Sequence, residues 1–410
     1  MSITNMVSNM IYQSPKLGEV DLQAIQLLDK QREFLRVHTQ SNPNRWTGLL
    51  RRAMFARAVQ GSNSIEGINA NLDEVVAAIE QDPPLDEKTE TSLAIGGYQA
   101  AMTYIMQAAQ DRYFEFSKQF IKSLHFMIAS YSMKNQPGQW RTTPVFIVHQ
   151  KDGKTVYDAP SVEMVDELVQ ELVKYLMNEN DDPAVVRGAM AHLNLTMIHP
   201  FKDGNGRVAR ALQTLVIARD GILHPVFSSI EEWLGDRENT PEYYAVLGVI
   251  GHGKWNPRRN ALGWVQFCIK AHYQQATKLS RRNEEAGQLY QGITEIIEHE
   301  RLPERTWMPL FDAACGFRIT NSRYRSDADI SDYTASRDLK RLSDLGLLEP
   351  KGEKRMRSYV AAKPMIELRS ATRIERPIEN PYEILRDRKL DAAIQEMAQS
   401  GLAEPRFPEM

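Results

Sequence analysis

Between His199 and Arg210 one short run gathers a base, a carboxylate, an amide, two glycines and two arginines. Gly204 and Gly206 let the backbone turn tightly, so that successive N–H groups can converge on an anion. A helix expected to open at Gly204 adds its unpaired N-terminal N–H groups and the positive end of its dipole. Arg207 and Arg210 are three residues apart, project from neighbouring parts of one helical face, and offer two forks suited to a polyphosphate. Asp203 is a hard oxygen ligand for Mg²⁺, an ion that normally bridges a carboxylate and phosphates. His199 supplies a base that titrates near neutrality. A mere surface salt-bridge network of Asp203 with the arginines would leave the glycines and Asn205 unexplained. Together these residues suit a polyphosphate with Mg²⁺, beside a base.

The elements around this run read mostly as helix. Apolar residues recur at helical spacing over 21–40, 45–60, 72–81, 86–110 and 116–133, with Asn71 as an N-cap. Helices are also expected at 161–178, 183–198, 204–220, from about 241 to 286, and at 381–397. Between them stands one β element. Val145, Phe146, Ile147 and Val148 and then Thr155 to Tyr157 flank Asp152-Gly153, a dipeptide suited to a tight hairpin turn. Gly153-Lys154-Thr155 imitates the tail of a phosphate loop, but Val148 stands where that loop requires glycine. His192, seven residues before His199, lacks the partners of a zinc motif and reads as a core or helix-face residue. Trp233, Tyr243, Tyr244 and Trp264 lie on helices and read as core.

Composition excludes several classes. The chain has 410 residues, enough for two or three domains, with 25% charged and 42% apolar residues. The 50 basic and 53 acidic residues give a formal charge of -3, so nothing global demands nucleic acid or an anionic membrane. Cys268 and Cys315 are the only cysteines, too few for a disulfide scaffold or a cysteine-built zinc site. No apolar run reaches the ~18–20 residues of a membrane span and no secretory pattern opens the chain. A reducing cytoplasm is the expected compartment.

His199 to Arg210 resembles the Fic family signature His-x-Phe-x-(Asp/Glu)-Gly-Asn-Gly-Arg-x-x-Arg at every specified position. With eight positions specified, chance agreement is on the order of 10⁻⁸. The resemblance implies a mainly α fold: a Fic-type helical bundle with a β-hairpin flap, plus a small C-terminal winged-helix domain. It implies a protein adenylyltransferase that moves AMP from ATP to a Ser, Thr or Tyr hydroxyl of a protein target, itself included. His199 would deprotonate the hydroxyl, and Asp203 would hold Mg²⁺ against the phosphates of the co-substrate ATP. The Asn205 side chain and the backbone of Gly204 to Gly206 would form the anion hole, with Arg207 and Arg210 on the pyrophosphate portion. Phe201 would be buried and pin the loop.

Upstream, Ser62 to Gly67 fits the family's inhibitory pattern (Ser/Thr)-x-x-x-Glu-(Gly/Asn). On that resemblance Ser62, Glu66 and Gly67 form an inhibitory helix, and Glu66 pairs with Arg210 where the ATP γ-phosphate would lie. Glu66 as an ordinary helix carboxylate is the competing reading. The flap of Val145, Phe146, Ile147 and Val148 would dock the target by strand addition.

The expected organisation is an N-terminal helical region over 1–110, a catalytic core over 111–280, a winged-helix-like unit over 288–362 and a tail over 363–410. Tyr333 to Leu342 resembles a recognition helix, and Lys351, Lys354, Arg355 and Arg357 a basic wing. DNA is one partner admitted by that unit, as is a protein, and a homodimer is compatible with the family; no membrane partner is expected. Removal of AMP, another nucleotide donor, or a DNA-binding regulator with a sensor core are the alternative functions.

Overall fold

The computed structural model describes residues 10–41, 47–79, 89–148, 155–178, 181–353 and 357–389. Helix α1 (Glu19–Arg36) runs into a π-turn over Val37–Ser41. It is followed by α2 (Thr47–Ile65), α3 (Leu72–Ile79), α4 (Glu90–Gln110) and α5 (Lys118–Ala129). Asn71 caps α3 as expected: its Oδ1 accepts from Glu74 N–H, and the Glu74 carboxylate accepts from Asn71 N–H in return. Ser117 caps α5 in the same sense.

Strands β1 (Phe146–Val148) and β2 (Thr155–Asp158) pair antiparallel, with an irregularity between Ile147 and Val148. The Asp152-Gly153 turn lies outside the described residues. Then come α6 (Val165–Met177), α7 (Ala184–Ile198), α8 (Asn205–Ala218), the single turn α9 (Glu231–Leu234) and α10 (Thr240–Gly251). A short strand β3 (Gly253–Lys254) lies parallel to β2, so the sheet order is β1-β2-β3 and β1 is an edge.

Helix α7 explains the architecture. Its residues from Val185 to Ile198 are buried on almost every face, apart from half-buried Arg187, because the segment is apolar all round rather than along one stripe. Helix α8 packs against it more extensively than any other element; α6 and α11 (Leu262–His299) also pack on α7, and α4 and α5 on α8. His192 sits inside this core between Gln213 and the Tyr243 hydroxyl, and burial lowers its pKa to about 3. It is a structural histidine.

Helix α11 is 38 residues long and serves two cores. Trp264 to Leu279 pack into the large one, while Leu289, Ile293 and Ile297 pack into a second. The boundary expected between residues 280 and 288 therefore falls inside one continuous helix. The second core is completed by α12 (Trp307–Ala314), β4 (Ile319–Thr320), α13 (Asn321–Ala328), α14 (Asp332–Asp344), β5 (Leu348–Lys351), β6 (Ser358–Ala361) and α15 (Lys363–Ala371). Strand order here is β4-β6-β5, all antiparallel. Tyr333 to Leu342 lie on α14, and Lys351 and Arg357 are exposed; Lys354 and Arg355 fall outside the described residues.

The tail returns to the large core rather than standing apart. Residues 381–389 are helical, Leu385 is buried, and the Tyr382 hydroxyl donates to the Asp21 carboxylate on α1.

Candidate functional site

The site begins where α7 stops. His199 takes a left-handed conformation (φ 51°) at the helix C-cap, which turns the chain sharply toward α8. Its Nδ1 lies 3.2 Å from the Thr196 carbonyl. A carbonyl only accepts, so Nδ1 carries the proton and the Nε2 lone pair is left as the base. Burial pulls the His199 pKa below its ordinary value, partly offset by the Thr196 carbonyl. The imidazole is therefore neutral at physiological pH, as a base must be.

Arg141 fixes this turn from behind. Its Nε donates to the His199 carbonyl at 2.9 Å, and the same guanidinium donates to the Thr143 and Pro160 carbonyls at the foot of the hairpin. The Arg141 N–H adds a bond to the Pro200 carbonyl, and the Tyr157 hydroxyl on β2 donates to the Met197 carbonyl. The hairpin and the His199 turn are thus one braced unit.

Phe201 is fully buried, stacked on His125 with centroids 3.7 Å apart and tilted against Trp140. The Asn205 side chain spans the loop: Oδ1 accepts from Phe201 N–H and Nδ2 donates to Phe201 C=O, both at 2.9 Å. Those bonds occupy the carboxamide as a loop brace, so what Asn205 offers an anion is its backbone N–H. The first intrahelical bond of α8 runs from Val208 N–H to Gly204 C=O. The N–H groups of Asn205, Gly206 and Arg207 are consequently without a partner among the described residues. Gly204 has a φ of 78°, the left-handed conformation the turn requires.

Asp203 lies at the rim with its carboxylate half exposed. Its Oδ2 accepts from Asn135 Nδ2 at 3.0 Å, and from the Tyr131 hydroxyl and Arg207 Nη2 at 3.4 Å. Oδ1 makes no hydrogen bond among the described residues. His125 steadies the same residue: Nε2 donates to the Asp203 carbonyl while Nδ1 accepts from Gly138 N–H. Burial lowers the His125 pKa to about 4, so the bracing ring stays neutral.

Arg207 and Arg210 are each 1% exposed. Arg207 Nε and Nη1 and Arg210 Nη1 are buried donors with no partner among the described residues. An unmade bond on a buried donor costs about 1–3 kcal/mol. These three point to an anion as the missing acceptor.

The remaining donors of Arg210 are taken. Nε donates to Ser62 Oγ at 2.9 Å, and Nη2 donates to the Ser62 carbonyl at 3.0 Å and to Glu66 Oε1 at 2.7 Å. Burial opposes the Arg210 charge, and Glu66 together with Tyr243 and Tyr98 outweighs it, leaving the pKa raised. The residues singled out at 62 and 66 are thus brought to Arg210. Glu66 is not inside the helix, however. Helix α2 ends at Ile65, and the Gly67 and Ile68 N–H groups bond back to the Ser64 and Asn63 carbonyls around Gly67 at φ 77°. That is a Schellman closure, which explains a glycine directly after the glutamate. A Cβ on Gly206 would overlap Glu66 Oε1, so the first turn of α8 and the carboxylate fit only because residue 206 is glycine.

Several parts of the site had no sequence signal of their own. His125, Tyr131 and Asn135 lie some 70 residues from Asp203, within a segment patterned as an ordinary amphipathic helix and its exit. Tyr244, read as core, is half exposed, and its hydroxyl bonds the Ile65 carbonyl at the end of α2. Trp233, Tyr243 and Trp264 are buried as expected. Among the described residues no group of three metal-ligating side chains occurs.

Residues 115–217 match the Fic/DOC family. This segment is a Fic domain. It contains the hairpin, α7, the His199 loop and most of α8; the Ser62–Gly67 turn and the second core lie outside it. The chain is similar to protein adenylyltransferase fic-1 of Caenorhabditis briggsae, 31% identical over 47% of this chain and 36% of that protein. It is also similar to protein adenylyltransferase Fic of Nematostella vectensis, 24% identical over 59% of this chain and 54% of that one. The chain thus spans between about a third and about a half of these curated relatives. A Fic family protein of Desulfovibrio desulfuricans shares the fold with a TM-score of 0.55 at 19% identity, over 86% of this chain and 99% of that chain. The overall architecture is therefore mainly helical and Fic-like. Among the described residues no helix is long and apolar enough to cross a membrane.

Proposed function

We propose that the chain is a protein adenylyltransferase, moving AMP from ATP to a side-chain hydroxyl on a protein, and that Glu66 holds it inhibited. The observation that carries the reading is one loop presenting both halves of the chemistry. His199 Nε2 is a free base at one end. At the other, the N-terminus of α8 and the orphaned Arg207 and Arg210 donors await an anion.

The reaction balances without further reactants. The acceptor hydroxyl loses its proton to His199 Nε2 as its oxygen bonds the α-phosphorus. The bond from that phosphorus to the β-phosphate bridge breaks, pyrophosphate leaves, and AMP remains on the protein. The α8 N–H groups and Arg207 hold the phosphates in line for this attack, and catalysis is mainly positioning and charge neutralisation. Asp203 is the residue that would hold Mg²⁺: a rim carboxylate with one unbonded oxygen suits an ion that takes one or two carboxylates plus phosphates. When bound, the ion would offset the charge of the phosphates.

ATP labelled at the α-phosphorus should leave its label on protein, and ATP labelled at the γ-phosphorus should not. The reverse pattern would replace adenylyl transfer with phosphoryl transfer.

The flap supports target docking through its outer edge. Ala159 N–H donates to the Val145 carbonyl, and Ile147 faces Tyr157, so alternate residues of β1 bond inward to β2. Phe146 then turns its N–H and C=O outward, and its side chain is 53% exposed. Proline at 146 removes that outer donor without breaking the inner ladder. Transfer to a separate protein should fall at least about tenfold, the effect of ~1.4 kcal/mol, while Mg²⁺–ATP binding measured by calorimetry is unchanged. Equal losses in both would make the hairpin a support of the fold alone.

A further inference from the structure

Helices α2, α11, α12 and α15 line a partly open pocket of about 50 Å³. One water needs ~10–15 Å³ by this measure, so the space exceeds a single water. Its walls include apolar Leu50, Leu289 and Phe311, and three guanidinium groups, those of Arg57, Arg282 and Arg369. Three cations lining one small, largely apolar cavity require compensation.

The three are not equivalent. Arg282 grips Glu232 with both ends of its fork, at 2.6 and 2.5 Å. Arg369 Nη2 donates to Glu285 Oε2 at 3.0 Å, and the other oxygen of Glu285 accepts from Ile374 N–H. Both carboxylates are thereby occupied, Glu232 with Lys278 3.5 Å away as well. Arg57 makes no hydrogen bond and no ion pair among the described residues. Glu232 attracts it at longer range, but burial, followed by the charges of Arg282 and Arg369, lowers its pKa. Cys315, which also lines the cavity, is pushed up to about 12 by burial, so its thiol supplies no negative charge. An arginine does not shed its proton in a protein, so Arg57 stays charged at the wall of the pocket without a counter-ion.

We propose that this cavity is a binding site for a small oxyanion of the phosphate class, anchored by Arg57, with Arg282 and Arg369 adding positive charge. Guanidinium forks match the oxygen pairs of phosphate, and Arg57 is the cation of the three left without a carboxylate. The location gives the site a consequence. Arg57 lies on α2, five residues before Ser62, whereas Arg369 and Phe311 belong to the second core. A bound anion joins the two, and so steadies the helix whose end presents Glu66 to Arg210. The proposal does not rest on the transfer reaction.

The test compares thermal unfolding in phosphate with unfolding in chloride of equal ionic strength, using inorganic phosphate as the probe. A ligand that binds the folded chain alone raises its melting temperature. The full chain should gain about 2 °C or more in phosphate. Arg57→Met and Arg57→Gln should each lose more than half of that gain, with no loss of stability in chloride because the cation removed had no partner. Arg207→Ala, which weakens the anion cradle of the His199 loop, should keep more than half. Absence of a phosphate-specific gain in the full chain would overturn the proposal. So would a gain that survives both Arg57 substitutions, or one that disappears in Arg207→Ala. Destabilisation of both Arg57 variants in chloride would instead make Arg57 a structural partner, and would overturn it as well.

Discussion

His199→Ala should lower the rate of AMP transfer by about 10²–10⁴-fold, the usual worth of a positioned general base. Mg²⁺–ATP binding should change little, because the α8 amides and Arg207 would hold the phosphates and Asp203 the Mg²⁺, with no part taken by the imidazole. The substitution also leaves Arg141 in place, since that residue holds the backbone carbonyl of residue 199 and not its side chain. A pH profile gives a second reading of the same claim. The base works when neutral, and the folded protein lowers the His199 pKa below the ordinary 6.5. Transfer should therefore persist as pH falls through 6.5 and be lost only at more acidic pH. Initial rates with labelled ATP, together with calorimetry of ATP binding, check both points. Full activity in the alanine variant would remove His199 from the mechanism.

Glu66→Gly should raise the transfer rate by at least about tenfold. The carboxylate occupies Arg210 Nη2 at 2.7 Å, and its oxygen sits against Gly206 at the mouth of the α8 cradle. Removing it frees a buried guanidinium for phosphate. A charge-assisted bond of that kind is worth ~1.5–3 kcal/mol, and ~1.4 kcal/mol is already a factor of ten in rate. The ~1 kcal/mol penalty for glycine in a helix interior does not apply, because residue 66 lies past the last turn of α2. Ser62 still holds Arg210 in place through Oγ and its carbonyl. Arg210→Ala in the same background should cancel the gain, since the freed partner is then absent. Initial rates for the wild type, both single variants and the double variant decide it. An unchanged rate in a folded Glu66→Gly protein would make Glu66 an ordinary helix-end residue.

The loop from His199 to Arg210 was legible because its chemistry is local: residue types and short spacings fix which groups share one turn and one helix face. The helices were legible for a similar reason, through the periodicity of buried positions. What was not legible depends on contacts across the chain. Asn205 looked like an anion-hole side chain, yet its two polar atoms close on Phe201, a geometry visible only once the loop is folded. Nothing local to Arg141 says that its guanidinium will hold the His199 carbonyl 58 residues away. That residues 280–288 lie inside one helix was not legible, because a helix shared between two cores keeps one continuous periodicity while its partners change. Tyr244 was misplaced because an aromatic on a helix is usually core, whereas here α10 turns that side chain toward the end of α2.

The most direct measurement is intact-mass and peptide-level mass spectrometry of Glu66→Gly after incubation with ATP and Mg²⁺, beside the Glu66→Gly, His199→Ala double variant. The expected result is an adenylyl group on a Ser, Thr or Tyr hydroxyl of the single variant and none on the double variant. A phosphoryl group in place of AMP, no addition to the single variant, or equal addition to both proteins would contradict a transferase that runs on His199 and is held in check by Glu66.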